Sequence, residues 1–236
     1  MNRPKQLLLL LLHGLLPVAI IHLQGDDGTA LVMAVIFAAM LFTAGLSWKY
    51  ILPVAAMIPP AAIVAWNFLL DNDKKNRILA VIDPTLVEAA DSWQQQRGLI
   101  SIGNGGLWGN GVFMETGQFR YVPEVYNDFI FTYIGETVGF IGCLAVLLVL
   151  AFLCIRILSN GLRAPDDLGK YICVGVFAMI GIQIIINIGM CLGMMPVIGV
   201  TLPFLSAGGT STGTLYLAIG VVLSVYVHSG KDRLFG

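Results

Sequence analysis

The sequence is short of charge. Lys, Arg, Asp and Glu make up 11% of 236 residues, and mean hydropathy is +0.85; soluble domains carry roughly 25% charged residues. So few polar groups cannot cover a soluble core, and the composition is that of a polytopic membrane protein. Neither sign of charge dominates: the net charge is -1, which excludes the clustered positive surface that nucleic-acid binding needs. Cysteine is scarce as well. Cys143, Cys154, Cys173 and Cys191 fall in apolar runs with no C-x-x-C spacing and no His pair nearby, so they read as small buried residues in helices. His13, His22 and His228 lie at or near expected helix ends and show no ligand pairing. A cleavable leader is not expected either. Arg3 and Lys5 precede a leucine run, but no A-x-A-type site follows, and His13 and Pro17 interrupt the run. This segment reads as a first membrane helix.

What is present is long apolar runs. A helix needs about 20 residues to cross a hydrocarbon layer of ~30 Å, and residues 6–23, 29–46, 50–70, 129–158, 171–194 and 212–228 qualify. The expected fold is all-α: a polytopic bundle of six spans with one long extracytoplasmic loop, residues 71–127. Pro59 and Pro60 are expected to kink the third span. With six spans the termini share a side, which carries Arg3, Lys5, Lys49, Arg156, Arg163, Lys170, Lys231 and Arg233. The basic residues opposite lie in one long loop that counts less, so the termini are expected to be cytoplasmic. Most acidic residues fall on the other side, and function is expected to face outward.

The 71–127 loop holds too many apolar residues for disorder. Asp83-Pro84 opens a helix-like run, and short amphipathic helices on the membrane surface would explain the pattern. Gly103, Gly105, Gly106, Gly109 and Gly111 then permit tight turns and close approach of a ligand to backbone. A later segment, residues 194–212, is apolar enough for lipid depth. Pro196, Gly199, Pro203, Gly208 and Gly209 nevertheless rule out a continuous helix there. It is expected to be re-entrant or interfacial, closing over the long loop. Residues 93–139 gather Arg97, Glu115, Arg120, Glu124, Asp128 and Glu136 in an otherwise apolar chain, and chemistry is expected there.

Five blocks in this order resemble one family. Gln24-Gly25-Asp26-Asp27-Gly28-Thr29 resembles Q-P-D-x-G-T, and Arg77-Ile78-Leu79-Ala80-Val81-Ile82-Asp83-Pro84 resembles R-I-x-x-F-x-D-P. Gln94 to Gln96 with Ile102-Gly103-Asn104-Gly105-Gly106-Leu107-Trp108-Gly109 resembles Q-x-x-Q-S-x-x-A-I-G-S-G-G-L-x-G-K-G. Pro123-Glu124, Asn127-Asp128-Phe129-Ile130-Phe131 and Gly135-Glu136 resemble P-E-x-x-T-D-F-I-F-x-x-x-G-E. Pro196-Val197-Ile198-Gly199 with Leu202-Pro203-Phe204-Leu205-Ser206-Ala207-Gly208-Gly209 resembles P-V-T-G-x-x-L-P-F-x-S-x-G-G. The chain is thereby similar to the SEDS family (shape, elongation, division and sporulation), the RodA, FtsW and SpoVE glycosyltransferases. Family members have ten membrane helices, and the resemblance covers the last six. Gly25, Asn110 and Tyr126-Asn127 stand where the family has Pro, Lys and His-Thr.

The resemblance implies a peptidoglycan glycosyltransferase that polymerises lipid II in cell elongation, division or sporulation, beside a class B penicillin-binding protein. The sugar 4-hydroxyl of one lipid II attacks the anomeric carbon of another, and undecaprenyl pyrophosphate leaves. A lipid II flippase and a truncated, non-catalytic SEDS-like membrane partner are the competing readings. Asp128 matches the family's essential aspartate and would be the general base; the plain structural alternative is that Asn127-Asp128 caps the following helix. Arg77, Arg97 and Arg120 are the outward cations able to meet a pyrophosphate, or are simply solvated. Glu136 is either a site residue or the partner of Arg97, Arg120 or an interhelical donor. Glu124 reads as a loop-ordering acceptor. Ser206, Gly208 and Gly209 either present amides to phosphate or serve helix packing. Asp27 either caps a helix or faces the site, and Gln183 and Asn187 bond across helices. A divalent cation (Mg or Mn) bridging pyrophosphate and carboxylates fits the chemistry, although no ligand spacing marks it.

Overall fold

The computed structural model describes residues 4–112 and 117–235; the expectations at Arg3 and Glu115 lie outside them. Eight α-helices follow one another among the described residues: α1 (Pro4–Leu23), α2 (Asp27–Thr43), α3 (Trp48–Val64), α4 (Asn72–Ile82), α5 (Ala89–Gly105), α6 (Ile130–Leu162), α7 (Asp167–Cys191) and α8 (Gly209–Phe235). No strand occurs among the described residues. Trp48–Leu69, Ile130–Leu162, Asp167–Cys191 and Gly209–Ser229 are long and apolar enough to cross a membrane. Leu8–Leu23 and Asp27–Thr43 are apolar but shorter. All six segments fall where the apolar runs predict spans.

Local chemistry sets the boundaries. Asp26 accepts the Thr29 amide at 2.9 Å and starts α2; Asp166 accepts that of Gly169 at 3.1 Å and starts α7. Each satisfies one of the donors a helix start leaves without a partner. The third span stays helical through Pro53, Pro59 and Pro60 and then loosens into a π turn, Ala65–Leu69. The irregularity expected at Pro59 and Pro60 thus falls a turn later, and Asn67 Nδ2 donates to the Ile63 carbonyl there at 2.8 Å.

Helix α7 is the axis of the bundle, packing on α2, α6 and α8 and touching α5. One apolar cluster joins Phe129, Ile130 and Phe131 to Ile188, Met190 and Leu202; a second joins Cys154 and Ile157 of α6 to Cys173 and Ile180 of α7 and Leu215 and Val222 of α8. A third ties Val32 of α2 to Ile186 and Val200. Helix α3 buries none of its residues.

Residues 71–127 fold into α4, α5 and short 3₁₀ turns, but α5 does not lie free on a membrane surface. It packs along α6, with which it makes one of the chain's most extensive contacts. At Gly139 (φ 74°, ψ -170°) α6 breaks, and the glycine-rich segment enters the break. Asn110 N donates to Glu136 O at 2.9 Å and Gly111 N to Thr137 O at 3.0 Å. Phe140 N and Ile141 N donate to the carbonyls of Gly106 (2.9 Å) and Leu107 (3.2 Å). Amides and carbonyls released by the break are therefore paired within the protein, as an apolar surrounding requires. A Cβ on Gly105 would clash with the Gly135 carbonyl, and one on Gly109 (φ +77°) with that of Thr137. What approaches this backbone closely is α6, where a ligand was expected.

Two glycine substitutions separate these roles. Gly109→Ala meets backbone and is expected to cost at least 1–3 kcal/mol, the usual range for overpacking. Gly103→Ala meets nothing within 4 Å, and in a helix is expected to gain about 0.5–1 kcal/mol. Thermal unfolding in detergent micelles should move in opposite directions for the two.

Candidate functional site at the mouth of the bundle

The α1–α2 turn, α4, α5, the start of α6 and residues 192–208 meet at one end of the bundle. Asp128 lies there, two residues before α6. The N-cap of α6 is Phe129, with no side-chain capping bond, so Asp128 does not serve as its cap. The Asp128 carboxylate has no hydrogen-bond or ion-pair partner among the described residues, and its residue is half-buried. Loss of water, and secondarily the nearby negative charge of Glu124, push its carboxyl above the ordinary value. Gly199 (φ +70°) lies against it: a Cβ there would stand 3.3 Å from Asp128 Oδ2.

The main chain around Asp128 is held tightly although its side chain is not. Asn187, fully buried on α7, donates through Nδ2 to the carbonyls of Asp128 and Val200, each at 2.7 Å. Glu124 takes a left-handed conformation (φ 53°) and its carbonyl accepts from Asn127 N at 2.9 Å and Phe129 N at 3.2 Å. Its carboxylate accepts from Asn127 Nδ2 at 2.6 Å, which is the loop-ordering role expected of it. Ser206 Oγ donates to the Asn127 carbonyl at 2.6 Å and accepts from Leu202 N at 2.8 Å, while Ala207 N donates to Tyr126 O at 2.8 Å.

The 192–200 segment forms the opposite wall and is clamped from four helices. Arg77 of α4 donates to Val197 O at 3.1 Å. Buried Gln95 of α5 donates to Met190 O and Met195 O, both at 2.9 Å. Asn187 holds Val200, and Gly28 of α2 sits so close that a Cβ would come 2.6 Å from Ile198 O. Asp27 anchors α4 beside them, with Lys74 Nζ at 2.7 Å and His22 Nδ1 at 2.6 Å.

The predicted site residues therefore separate. Asp128, Arg77 and Ser206 share the same two walls. Gly208 and Gly209 are exposed at the start of α8, where Ser211 Oγ donates to Gly208 O at 3.1 Å. Arg97 lies over the Trp93 ring at 5.7 Å, and Arg120 is exposed on the 3₁₀ turn Gln118–Tyr121. Neither pairs with Glu136. That carboxylate, 1% exposed, accepts from Ser101 Oγ (2.5 Å), Gln118 N (2.8 Å) and Phe119 N (2.7 Å), so neutral donors hold it where an arginine was one expectation. Gln95, Ser101 and Lys74 were not singled out from sequence. Gln95 and Ser101 sit in or beside the Q-x-x-Q block, whose spacing was the available signal. Among the described residues no three His, Cys, Asp or Glu side chains converge to hold a metal ion.

A bundle of helices this long and apolar defines a polytopic membrane protein. The model of the "Cell cycle protein" family of FtsW, RodA and SpoVE matches residues 1–231, and the chain belongs to that family. It is 33% identical over 218 residues to peptidoglycan glycosyltransferase MrdB of Escherichia coli, covering 90% of this chain and 58% of MrdB. To stage V sporulation protein E of Bacillus subtilis it is 37% identical over 210 residues, covering 89% and 57%. The chain thus spans a little over half the length of these relatives. Two solved structures are similar. One is a peptidoglycan synthase complex that coordinates polymerization and crosslinking (TM-score 0.80, 27% identity, 96% of this chain, 63% of that one). The other is an alanine variant of Thermus thermophilus RodA (TM-score 0.63, 26% identity, 96% and 58%). The chain is a multi-pass protein of the bacterial inner membrane.

Removal of the Glu136 carboxylate leaves three donors without an acceptor. Glu136→Ala is expected to cost at least about 3 kcal/mol, since each buried unsatisfied group costs about 1–3, and Glu136→Gln less. Melting temperatures in detergent that match the unmutated protein would show these bonds to be dispensable.

Proposed function

We propose that the chain is a peptidoglycan glycosyltransferase that polymerises lipid II on the outer face of the membrane, with Asp128 as general base. The observation that carries this reading is the Asp128 carboxylate itself, half-buried and unpaired while the backbone on both sides of it is clamped. A base must be free to receive a proton yet held in place, and a raised pKa makes it a stronger proton acceptor. The sugar 4-hydroxyl gives its proton to Asp128 as its oxygen bonds to the anomeric carbon of the second lipid II. The bond from that carbon to the pyrophosphate breaks, and undecaprenyl pyrophosphate departs with the electron pair. Arg77, on the opposite wall, and the exposed amides of Gly208 and Gly209 at the positive end of α8 are the groups suited to the leaving charge. Arg97 and Arg120 are further from support, since no bond ties either to these walls.

A divalent cation, Mg or Mn, enters as a companion of the pyrophosphate, since no three ligand side chains converge among the described residues. The names of the relatives support the activity, and the synthase complex supports a class B penicillin-binding protein as partner. The basic residues at the end opposite the site support cytoplasmic termini. A flippase is supported less. Its ionisable groups would line a path at mid-membrane, whereas here Glu136, the single acidic residue of α6, is taken up by three protein donors.

Asp128→Asn keeps the shape and removes the base; lipid II polymerisation is expected to fall by about 10²–10⁴ while the melting temperature holds. Unchanged polymer would overturn the assignment. The pH profile gives a separate check. Activity should fall as acid protonates Asp128, and because burial raises its pKa, the fall should come at higher pH than for an ordinary carboxylate near 3.9. Glu124→Gln removes the secondary, charge-based cause and is expected to move that acid limb to lower pH; a limb that stays in place rejects the coupling.

A further inference from the structure

Beyond the Asp128 walls, α6 and α8 leave a groove of about 560 Å³ between them. Val146, Val149 and Leu153 of α6 face Phe204, Leu205 and Tyr216 across it, and the Tyr216 hydroxyl is the one polar side-chain group in its lining. The groove is a built feature. Phe204 is held in a left-handed conformation (φ 66°), uncommon for a bulky residue, and its ring stands edge-on to Tyr216 at 6.0 Å and 77°. Strain of that kind collects at ligand clamps.

Two residues further on, Ser206 holds the Asn127 carbonyl, one residue from Asp128. The groove wall and the candidate base are therefore parts of one hydrogen-bonded loop. At the same end, Gly208 and Gly209 start α8 with exposed backbone, so the positive end of the helix dipole faces whatever emerges there. An apolar channel leading to an anion-favouring rim suits an apolar chain with an anionic head.

Size decides between occupants. A helix is about 10–12 Å across with its side chains, so the groove volume matches only about 5–7 Å of its length, roughly one turn. At roughly 30 Å³ per water-sized group, the same volume holds about twenty carbon-sized groups, or about four isoprene units.

We propose that this groove receives the first isoprene units of the substrate's polyprenyl tail, so that tail binding sets the loop that holds Asp128. The proposal rests on the lipid II reading above. Its test uses the full chain in proteoliposomes, with undecaprenyl pyrophosphate carrying a diazirine on its second isoprene unit. Phosphatidylglycerol with a diazirine on its acyl chain is the comparator. The polyprenyl probe should label residues 145–153, 204–205 or 216–219. Val149→Trp, which fills the groove from an exposed position, should cut that labelling at least fivefold. Leu148→Trp, exposed but outside the lining, should leave it intact and controls for folding. Equal labelling of the groove by both probes would mean ordinary bilayer lipid and would overturn the proposal; so would labelling that survives Val149→Trp. Polymer formation by the unmutated chain is read in parallel. Groove labelling without polymer overturns the lipid II reading alone, and polymer without groove labelling overturns this proposal alone.

Discussion

The side-chain amide of Asn187 carries the mouth of this protein. It is fully buried on α7, the helix on which α2, α5, α6 and α8 pack, and its two protons go to Asp128 and Val200. One short side chain thereby fixes the spacing between the two walls of the site. In a low-dielectric surrounding each of these bonds is stronger than in water, and losing one strands a buried carbonyl. The α2, α4 and α5 clamps on residues 192–200 keep the second wall against this bridge. Such rigidity in the backbone is what allows the Asp128 carboxylate itself to remain unpaired.

The same economy governs Glu136 and Ser206. Both are polar groups in apolar surroundings, and both were candidates for touching substrate. The structure uses each to lace chain segments together, α5 to α6 in one case and the 202–207 loop to residues 126–127 in the other. A buried polar group that has spent its hydrogen bonds on protein has few left for a ligand. Gly208 and Gly209, with backbone open to the surroundings, keep that capacity.

The spans were legible because lipid imposes a length and a composition that can be read residue by residue. The place of Asp128 at a helix mouth was legible from the apolar run that follows it. The clamps were not, because hydrogen bonds from Gln95 to Met190 and Met195, or from Arg77 to Val197, join residues about 100 positions apart. Periodicity says nothing about such pairs. The glycine run misled for a physical reason: lack of a Cβ signals close backbone approach but not what approaches. The partner was α6, four backbone bonds deep.

That exchange of bonds at Gly139 bears on biogenesis. As α6 enters the bilayer, the amides of Phe140 and Ile141 need acceptors at once, and the acceptors they end with belong to residues synthesised some thirty positions earlier. Either the helix goes in unbroken and is remade later, or the glycine segment is already waiting at the membrane. In both cases the broken form of α6 belongs to the assembled protein and never to the isolated helix.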